Sequence, residues 1–121
     1  GWDTANVKSM AKMFFDAAAF NGSVDLWDTA SVITFEAMFQ EATTFNQDVS
    51  KWDLQSATKL ENMFDDAGAF NQSLCAWDSS LLPQSKVDNT TNMFKDTACA
   101  DEGSPNLDAN PVTPLCSRCP P

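Results

Sequence analysis

Two sets of residues in this chain have types and spacings that could do chemistry. The first is a group of cysteines confined to the C-terminal part, at Cys75, Cys99, Cys116 and Cys119. The second is a column of carboxylates that recurs at one position of a repeat, at Asp16, Glu41, Asp66 and Asp96. Cysteines can form disulfides or bind zinc, and carboxylates can bind calcium. The chain has no histidine, so the commonest general base and metal ligand is missing.

The spacing of the cysteines favours disulfides over zinc. A four-thiolate zinc site needs two close pairs, and only Cys116 and Cys119 are close in sequence. Four cysteines allow three pairings. We expect Cys75–Cys99 within the last repeat and Cys116–Cys119 as a small local loop, while pairing of the tail back to Cys75 or Cys99 stays open. Two disulfides that pin the proline-rich tail over the end of the last repeat would form a C-terminal cap.

The acidic column is expected to be a solvated face. The predicted helices place these carboxylates near helix C-termini, where the dipole disfavours negative charge by a few tenths of a kcal/mol each. Calcium would relieve that cost, but the sequence has no EF-hand loop or glycine-rich calcium repeat. We therefore predict no metal site and no cofactor.

The elements that position these residues follow a 25-residue repeat. Trp-Asp pairs begin at Trp2, Trp27, Trp52 and Trp77. Met-Phe and Phe-Asn pairs keep the same phase in the first three units, for example Met13-Phe14 and Phe20-Asn21. The fourth unit has five extra residues within 81–85, and Ala100 replaces its last aromatic residue. A degenerate final unit is typical of a solenoid cap.

Within each unit, the apolar spacing predicts a helix of about three turns. In the first unit the stripe is Val7, Met10, Met13, Phe14 and Ala17. The residues Asn6, Ser31 and Ser56 precede the stripes as N-cap types, and Val24, Val49 and Leu74 mark short extended pieces. We predict an α/β-type repeat solenoid with low strand content. Residues 1–100 would hold the four repeats, and residues 101–121 an irregular Pro/Cys-rich C-terminal cap.

If the units stack, we expect two columns of equivalent side chains that run from unit to unit. The indole rings would form one column, from Trp2, Trp27, Trp52 and Trp77. The amides would form a second, buried column that satisfies turn backbone groups, from Asn21, Asn46 and Asn71. The aspartates Asp3, Asp28, Asp53 and Asp78 would accept amide N–H bonds at the helix starts. Ligand contact is the weaker interpretation of the indoles and amides.

Composition limits the partners and the compartment. A formal charge of −10 over 121 residues argues against nucleic acid, and no apolar run is long enough for membrane insertion. Three sequons occur, and Asn89 is the glycosylation candidate because it follows the insertion in the fourth unit. Together with the cysteines, the sequons predict a secreted or cell-surface protein.

The repeat resembles that of the BspA-like surface proteins, a divergent branch of leucine-rich-repeat proteins. The resemblance rests on four registered copies of the Trp-Asp, Met-Phe and Phe-Asn pattern across residues 1 to about 100. Leu74-Cys75-Ala76-Trp77 and the run from Pro114 to Cys119 also resemble algal and protist members, with Leu115 where phenylalanine is usual. The resemblance implies adhesion, matrix or ligand recognition outside the cell, and it supplies no catalytic residues.

We therefore expect a non-enzymatic, extracellular structural or adhesive module. Its partners would be other proteins or copies of itself, bound through an uncapped N-terminal end, because an uncapped repeat end exposes apolar surface. The cover expected there is another domain, another copy, or a missing upstream part of the same chain. The alternative is a peptide- or glycan-recognition domain that calcium assists.

Overall fold

The computed structural model describes residues 3–77, 87, 89–107, 109 and 111–120. Each repeat forms one layer, and the layers stack in chain order. Layer one is residues 3–26, layer two 27–51 and layer three 52–76, and layer four is described at 77, 87 and 89–100. Trp2, Asp78 and the insertion at 81–85 lie outside the described residues.

The backbone of each layer is built from turns. Turns occupy residues 11–16, 36–41, 61–66 and 91–96, and the described residues contain no helix. Pairing is limited to isolated parallel bridges that join Ser9, Thr34, Lys59 and Asn89 in succession, and to one antiparallel bridge between Asn106 and Thr113. The predicted α/β-type solenoid, with a helix in each unit, is therefore wrong. None of the described residues forms a helix that could cross a membrane.

Every second backbone N–H group of a run donates to a carbonyl of the next layer. The continuous bonding within one segment that a helix needs is therefore absent. The N–H groups of Met10, Lys12, Phe14 and Asp16 donate to carbonyls of layer two at 2.8–3.0 Å. Their acceptors are Thr34, Glu36, Met38 and Gln40. The N–H groups in between donate three residues back, as from Met13 to Met10 at 3.2 Å. Each layer is thus a run of overlapping turns tied to the next layer at every second residue.

Two residues in each run have left-handed backbone conformations. In layer one these are Lys12 and Asp16, both with φ of 58°. The corresponding pairs are Ala37 and Glu41, Asn62 and Asp66, and Asn92 and Asp96. A right-handed helix cannot pass through such residues, and each costs about 1–2 kcal/mol unless the side chain is short and polar. The acidic column therefore occupies a left-handed turn position and not a helix C-terminus.

Aromatic rings fill the centre of the stack. Within layer two, Phe39 and Phe45 stack with ring centroids 4.0 Å apart. Between layers, Phe39 lies 5.4 Å from Phe64, and Phe45 lies 6.0 Å from Phe70. All four rings are fully buried. The same near-parallel geometry in successive layers lets one aromatic pattern build a continuous core.

The tryptophans connect the layers through ring stacking and through hydrogen bonds from their indole nitrogens. The rings of Trp27 and Trp52 stack at 6.5 Å with planes 4° apart. Nε1 of Trp52 donates to the carbonyl of Val24 at 2.9 Å, and Nε1 of Trp77 donates to that of Val49 at 3.0 Å. Each buried indole donor is therefore satisfied by a backbone carbonyl 28 residues earlier.

The asparagine column links the layers at their edge. Oδ1 of Asn21 accepts the backbone N–H of Asn46, and Oδ1 of Asn46 accepts that of Asn71, both at 2.8 Å. The prediction that this column is buried is wrong, since Asn21 and Asn71 are exposed and Asn46 is half-buried. The aspartates that were expected to accept amide N–H bonds at helix starts accept such bonds within short local turns, as where Asp28 Oδ1 accepts the N–H of Ala30 at 3.1 Å.

A tail beyond residue 100 covers the end of the stack at layer four. Disulfides join Cys75 to Cys119 and Cys99 to Cys116, so the expected Cys75–Cys99 and Cys116–Cys119 pairing is wrong. A local Cys116–Cys119 loop would leave the tail unattached to the stack, whereas the observed bonds fasten it at two places. Leu115, which is fully buried, adds a backbone bond by accepting the N–H of Leu74 at 2.9 Å.

Candidate functional site

The outer face of layer one exposes apolar side chains whose counterparts in the other layers are buried or polar. Met13 is 41% exposed, whereas Met38 and Met63 at the same repeat position are completely buried. Phe15 is 44% exposed, and Phe14 is only half-buried although its counterparts in the deeper layers are fully buried. We call this face the open end. Its apolar side chains are uncovered because no layer precedes them in the described stack.

The open end also presents a row of backbone acceptors. The layer-two carbonyls of Thr34, Glu36, Met38 and Gln40 accept N–H bonds from layer one. The layer-one carbonyls at the same positions belong to Ser9, Ala11, Met13 and Phe15. No described residue donates to these four carbonyls. They form an unpaired acceptor edge with a spacing of two residues.

Two backbone donors complete the pattern of the open end. The N–H of Ile33 donates to the carbonyl of Lys8 at 2.7 Å, and the N–H of Asn46 donates to Asn21 Oδ1. The corresponding layer-one donors are the N–H groups of Lys8 and Asn21, which have no acceptor among the described residues. Four acceptors and two donors of layer one therefore lack a described partner, in the same layer as the exposed side chains of Met13 and Phe15.

The opposite end of the stack is closed. Phe94 is fully buried, and it belongs to one core cluster with the tail residues Val112, Leu115 and Cys116, which are 2% exposed or less. The tail is also held by Thr90, whose hydroxyl donates to the carbonyl of Pro105 at 3.4 Å. The end at layer four is thus sealed by a covalently attached tail, whereas no described residue covers the outer face of layer one.

The carboxylates of the stack do not assemble into a metal site. Across the part of the chain that the structure describes, no three potential ligands lie close enough to hold a metal ion. The same residues enclose no cavity. Glu61 is a carboxyl with a perturbed pKa, since desolvation and the neighbouring Glu36 raise this pKa above the ordinary value of 4.5. One of its oxygens is buried without a hydrogen-bond partner.

The structure also locates the glycosylation candidate. Asn89 is exposed, and its Oδ1 accepts the backbone N–H of Thr91 at 3.0 Å. Its carbonyl accepts the N–H of Leu60, so the residue forms part of the ladder between layers three and four. Asn89 as a glycan acceptor stays a prediction.

Sequence reasoning predicted an uncapped end but did not predict its acceptor edge. That edge consists of backbone carbonyls, whose direction follows from the left-handed residues and not from side-chain type. One side-chain signal was available. Phe15 stands at a position occupied by Gln40, Asp65 and Lys95 in the other layers, so it is an apolar residue in an otherwise polar column.

A comparison with protein families finds a match for most of this chain. The pattern of the family described as "Mycoplasma protein of unknown function, DUF285" matches residues 1–107. No curated protein and no solved structure matches the chain. The matched residues include all four layers and the start of the tail, and this chain therefore belongs to the DUF285 family.

Proposed function

We propose that this chain is a non-enzymatic structural or adhesive module of an extracellular or cell-surface assembly, and that it binds other proteins through the open end. The observation that carries the proposal is the contrast between Met13, which is 41% exposed, and its completely buried counterparts Met38 and Met63. Covering a methionine or phenylalanine side chain contributes about 1.5–3 kcal/mol. The open end therefore offers a substantial driving force for association.

The stiffness of the stack supports a structural role. Interlayer hydrogen bonds recur at every second residue of the turn runs, and near-parallel aromatic rings fill the centre. Such a stack holds its end face in one conformation, so little entropy is lost when a partner binds there. A rigid face of this kind suits a spacer or anchor in an assembly.

The extracellular setting is supported by the two disulfides, since disulfides persist in oxidising compartments. The finer resemblance to BspA-like surface proteins points the same way. The non-enzymatic role is supported by the lack of histidine and by the acidic column, whose regular recurrence follows from left-handed turn positions.

The test compares binding by two doubly substituted chains with the same added charge. Met13→Lys with Phe15→Lys changes the open end, and Gly68→Lys with Ala76→Lys changes exposed positions of layer three. A side chain at Gly68 meets no atom within 4 Å, so that control is sterically permitted. Each chain is immobilised through its C-terminus, and retention of the secreted and surface proteins of its source organism is measured.

We expect the open-end variant to lose about tenfold or more of the retained protein, as for truncation of an interface hot spot, and the control to match the unsubstituted chain. Equal retention by the two variants would show that binding does not use the open end. Absence of retention by the unsubstituted chain would overturn the adhesive role itself.

A further inference from the structure

We propose that Asn71 carries an N-linked glycan, attached through its side-chain nitrogen to an oligosaccharide from a polyprenyl-diphosphate donor. Asn71-Gln72-Ser73 has the acceptor pattern, as do the tripeptides that begin at Asn21 and Asn89. The inference goes beyond the proposed function and does not depend on the open end, because Asn71 belongs to layer three. It follows from what the side chain of each of these asparagines does in the folded stack.

The side chain of Asn71 exchanges no hydrogen bond with any described residue. Asn21 and Asn46, at the same repeat position, use Oδ1 to accept the backbone N–H of the asparagine one layer further on. Asp101 takes that place after Asn71, and its N–H donates to the carbonyl of Cys116 in the tail at 3.5 Å. The asparagine column therefore ends at Asn71, whose amide group does not hold the layers together.

The surroundings of Asn71 leave its amide accessible. Asn71 is exposed, and residues 71–74 lie outside the turn runs and the isolated bridges. Gln72 is directed toward layer two, since its Nε2 donates to the carbonyl and to Oδ1 of Asn46 at 3.2 and 3.1 Å. Tail residues 102–104, at the corresponding positions of the fourth unit, are exposed as well. A surface loop of this kind is the setting in which N-linked glycans are attached.

The amides of the other two sequons are engaged in the fold. Oδ1 of Asn89 accepts the backbone N–H of Thr91 at 3.0 Å, and Asn89 is also a bridge residue. Oδ1 of Asn21 accepts the N–H of Asn46 at 2.8 Å. These bonds fix the orientation of each amide group, so a glycan at either residue has to fit around a held side chain. No described bond fixes the amide of Asn71 in this way.

The attachment step needs the free amide and the sugar donor. Nδ2 of Asn71 forms a bond to the anomeric carbon of the first sugar, and the bond from that carbon to the diphosphate oxygen breaks. The diphosphate leaves with the electron pair, and Nδ2 gives up one of its two protons. The product is a neutral amide, so the glycan linkage adds no charge to this acidic chain.

The test measures the occupancy of each sequon in the chain secreted by eukaryotic cells and shown to be folded by circular dichroism. Peptide-N-glycosidase in water enriched in heavy oxygen converts every glycosylated asparagine to a labelled aspartate, which peptide mass spectrometry locates. We expect the label at Asn71 in most chains, kept by Ser73→Thr and lost with Ser73→Ala. Absence of the label at Asn71 would overturn the proposal, whether or not Asn21 or Asn89 carries it.

Layer two offers a matched control for the folded environment. Asn46-Gln47-Asp48 differs from Asn71-Gln72-Ser73 only in its third residue, so Asp48→Ser creates the same acceptor tripeptide around an amide that is engaged in the column. The new serine can still accept the N–H of Ser50, which Asp48 accepts at 2.8 Å. We expect the label at Asn46 to be several-fold lower than at Asn71. Equal labelling would show that the stack does not select the acceptor and would overturn the proposal.

A stability measurement separates glycan attachment from a structural role of the amide. In the chain produced without glycans but with its disulfides formed, Asn71→Gln should leave the urea midpoint unchanged, because its side chain holds no described partner. Asn46→Gln should lower the midpoint, since Oδ1 of Asn46 accepts the N–H of Asn71. A midpoint lowered equally by both substitutions would show that folding needs the amide of Asn71 and would overturn the proposal.

Discussion

The side-chain oxygen of Asn46 accepts the backbone N–H of Asn71 at 2.8 Å, and the side-chain oxygen of Asn21 does the same for Asn46. One residue type at one position of the repeat thereby joins three successive layers. Gln72 adds to the contact, since its Nε2 donates to Asn46 Oδ1 at 3.1 Å. The asparagines that follow the last phenylalanine of a layer are thus explained by interlayer bonding.

Replacement of Asn46 by alanine should lower the free energy of unfolding by about 1 kcal/mol, because the N–H of Asn71 loses its acceptor. Asn46→Asp is the matched control, since it keeps an oxygen in the same place and should lower the free energy of unfolding much less. Urea unfolding of the two variants measures the difference. Equal losses would mean that the acceptor oxygen is not what stabilises this position.

Glycine in place of Lys12 should raise the free energy of unfolding by about 0.5–1 kcal/mol, because the residue is exposed and left-handed, with φ of 58°. In a helix the same substitution would lower it by about 1 kcal/mol. The sign of the change in the free energy of unfolding, measured with urea, therefore distinguishes a left-handed turn from a helix at this position. Lys12→Val is the control and should be destabilising, since a β-branched residue is poorly tolerated at positive φ.

The sequence predicted the repeat and its stacking surfaces but not the backbone within a layer. Residues such as Met10, Met13 and Ala17 are three or four apart, which fits one face of a helix. Consecutive turns closed by bonds three residues back give the same spacing, as between Met13 and Met10. The residues with positive φ include no glycine, so the usual signal of a left-handed position was missing.

The sequence predicts an uncapped first unit from the repeat and from cysteines that cluster at the other end, but it does not predict the backbone groups of that face. The direction of the carbonyls of Ser9 and Ala11 depends on left-handed residues that the side chains did not indicate. The disulfide pairing likewise depends on how the tail folds back over Phe94, which spacing alone does not determine.

Removal of the bond between Cys75 and Cys119, by serine at both positions, should lower the free energy of unfolding by about 4 kcal/mol. The bond spans 44 residues, and the loss follows from the loop-closure entropy of a chain of that length. Removal of the Cys99–Cys116 bond, which spans 17 residues, should cost about 3 kcal/mol and serves as the comparison. Thermal and urea unfolding under non-reducing conditions measure both. The cap would not depend on these bonds if neither pair of substitutions changed stability.

Stability should depend on pH through Glu61, whose pKa is raised by desolvation and by Glu36. A raised pKa means that the folded state binds the proton more tightly than the unfolded state. The stabilisation that comes from this tighter proton binding is fully present below the ordinary pKa of 4.5 and is lost as the pH rises through the folded pKa. Glu61→Gln should therefore be more stable than the unsubstituted chain at neutral pH, and the difference should shrink in acid.

Asp48 provides a control in which the pH dependence of stability has the opposite sign. The backbone and side chain of Ser50 donate to its carboxylate and lower its pKa below the ordinary value of 3.8. Its stabilising contribution is present above that value and is lost as the pH falls through the folded pKa. Asp48→Ala should therefore be less stable than the unsubstituted chain at neutral pH, with a smaller difference in acid. Matching pH profiles for the two variants would contradict the assigned environments.

The exposure of the open end can be measured inside a single chain, because the repeat places Met13, Met38, Met63 and Met93 at equivalent positions. Brief treatment of the native chain with hydrogen peroxide, followed by peptide mass spectrometry, gives the oxidation rate of each methionine. We expect Met13 to react about tenfold or more faster than the other three, since they are completely buried. Equal rates for all four methionines, or protection of Met13 in the isolated chain, would contradict an open first layer and the function built on it.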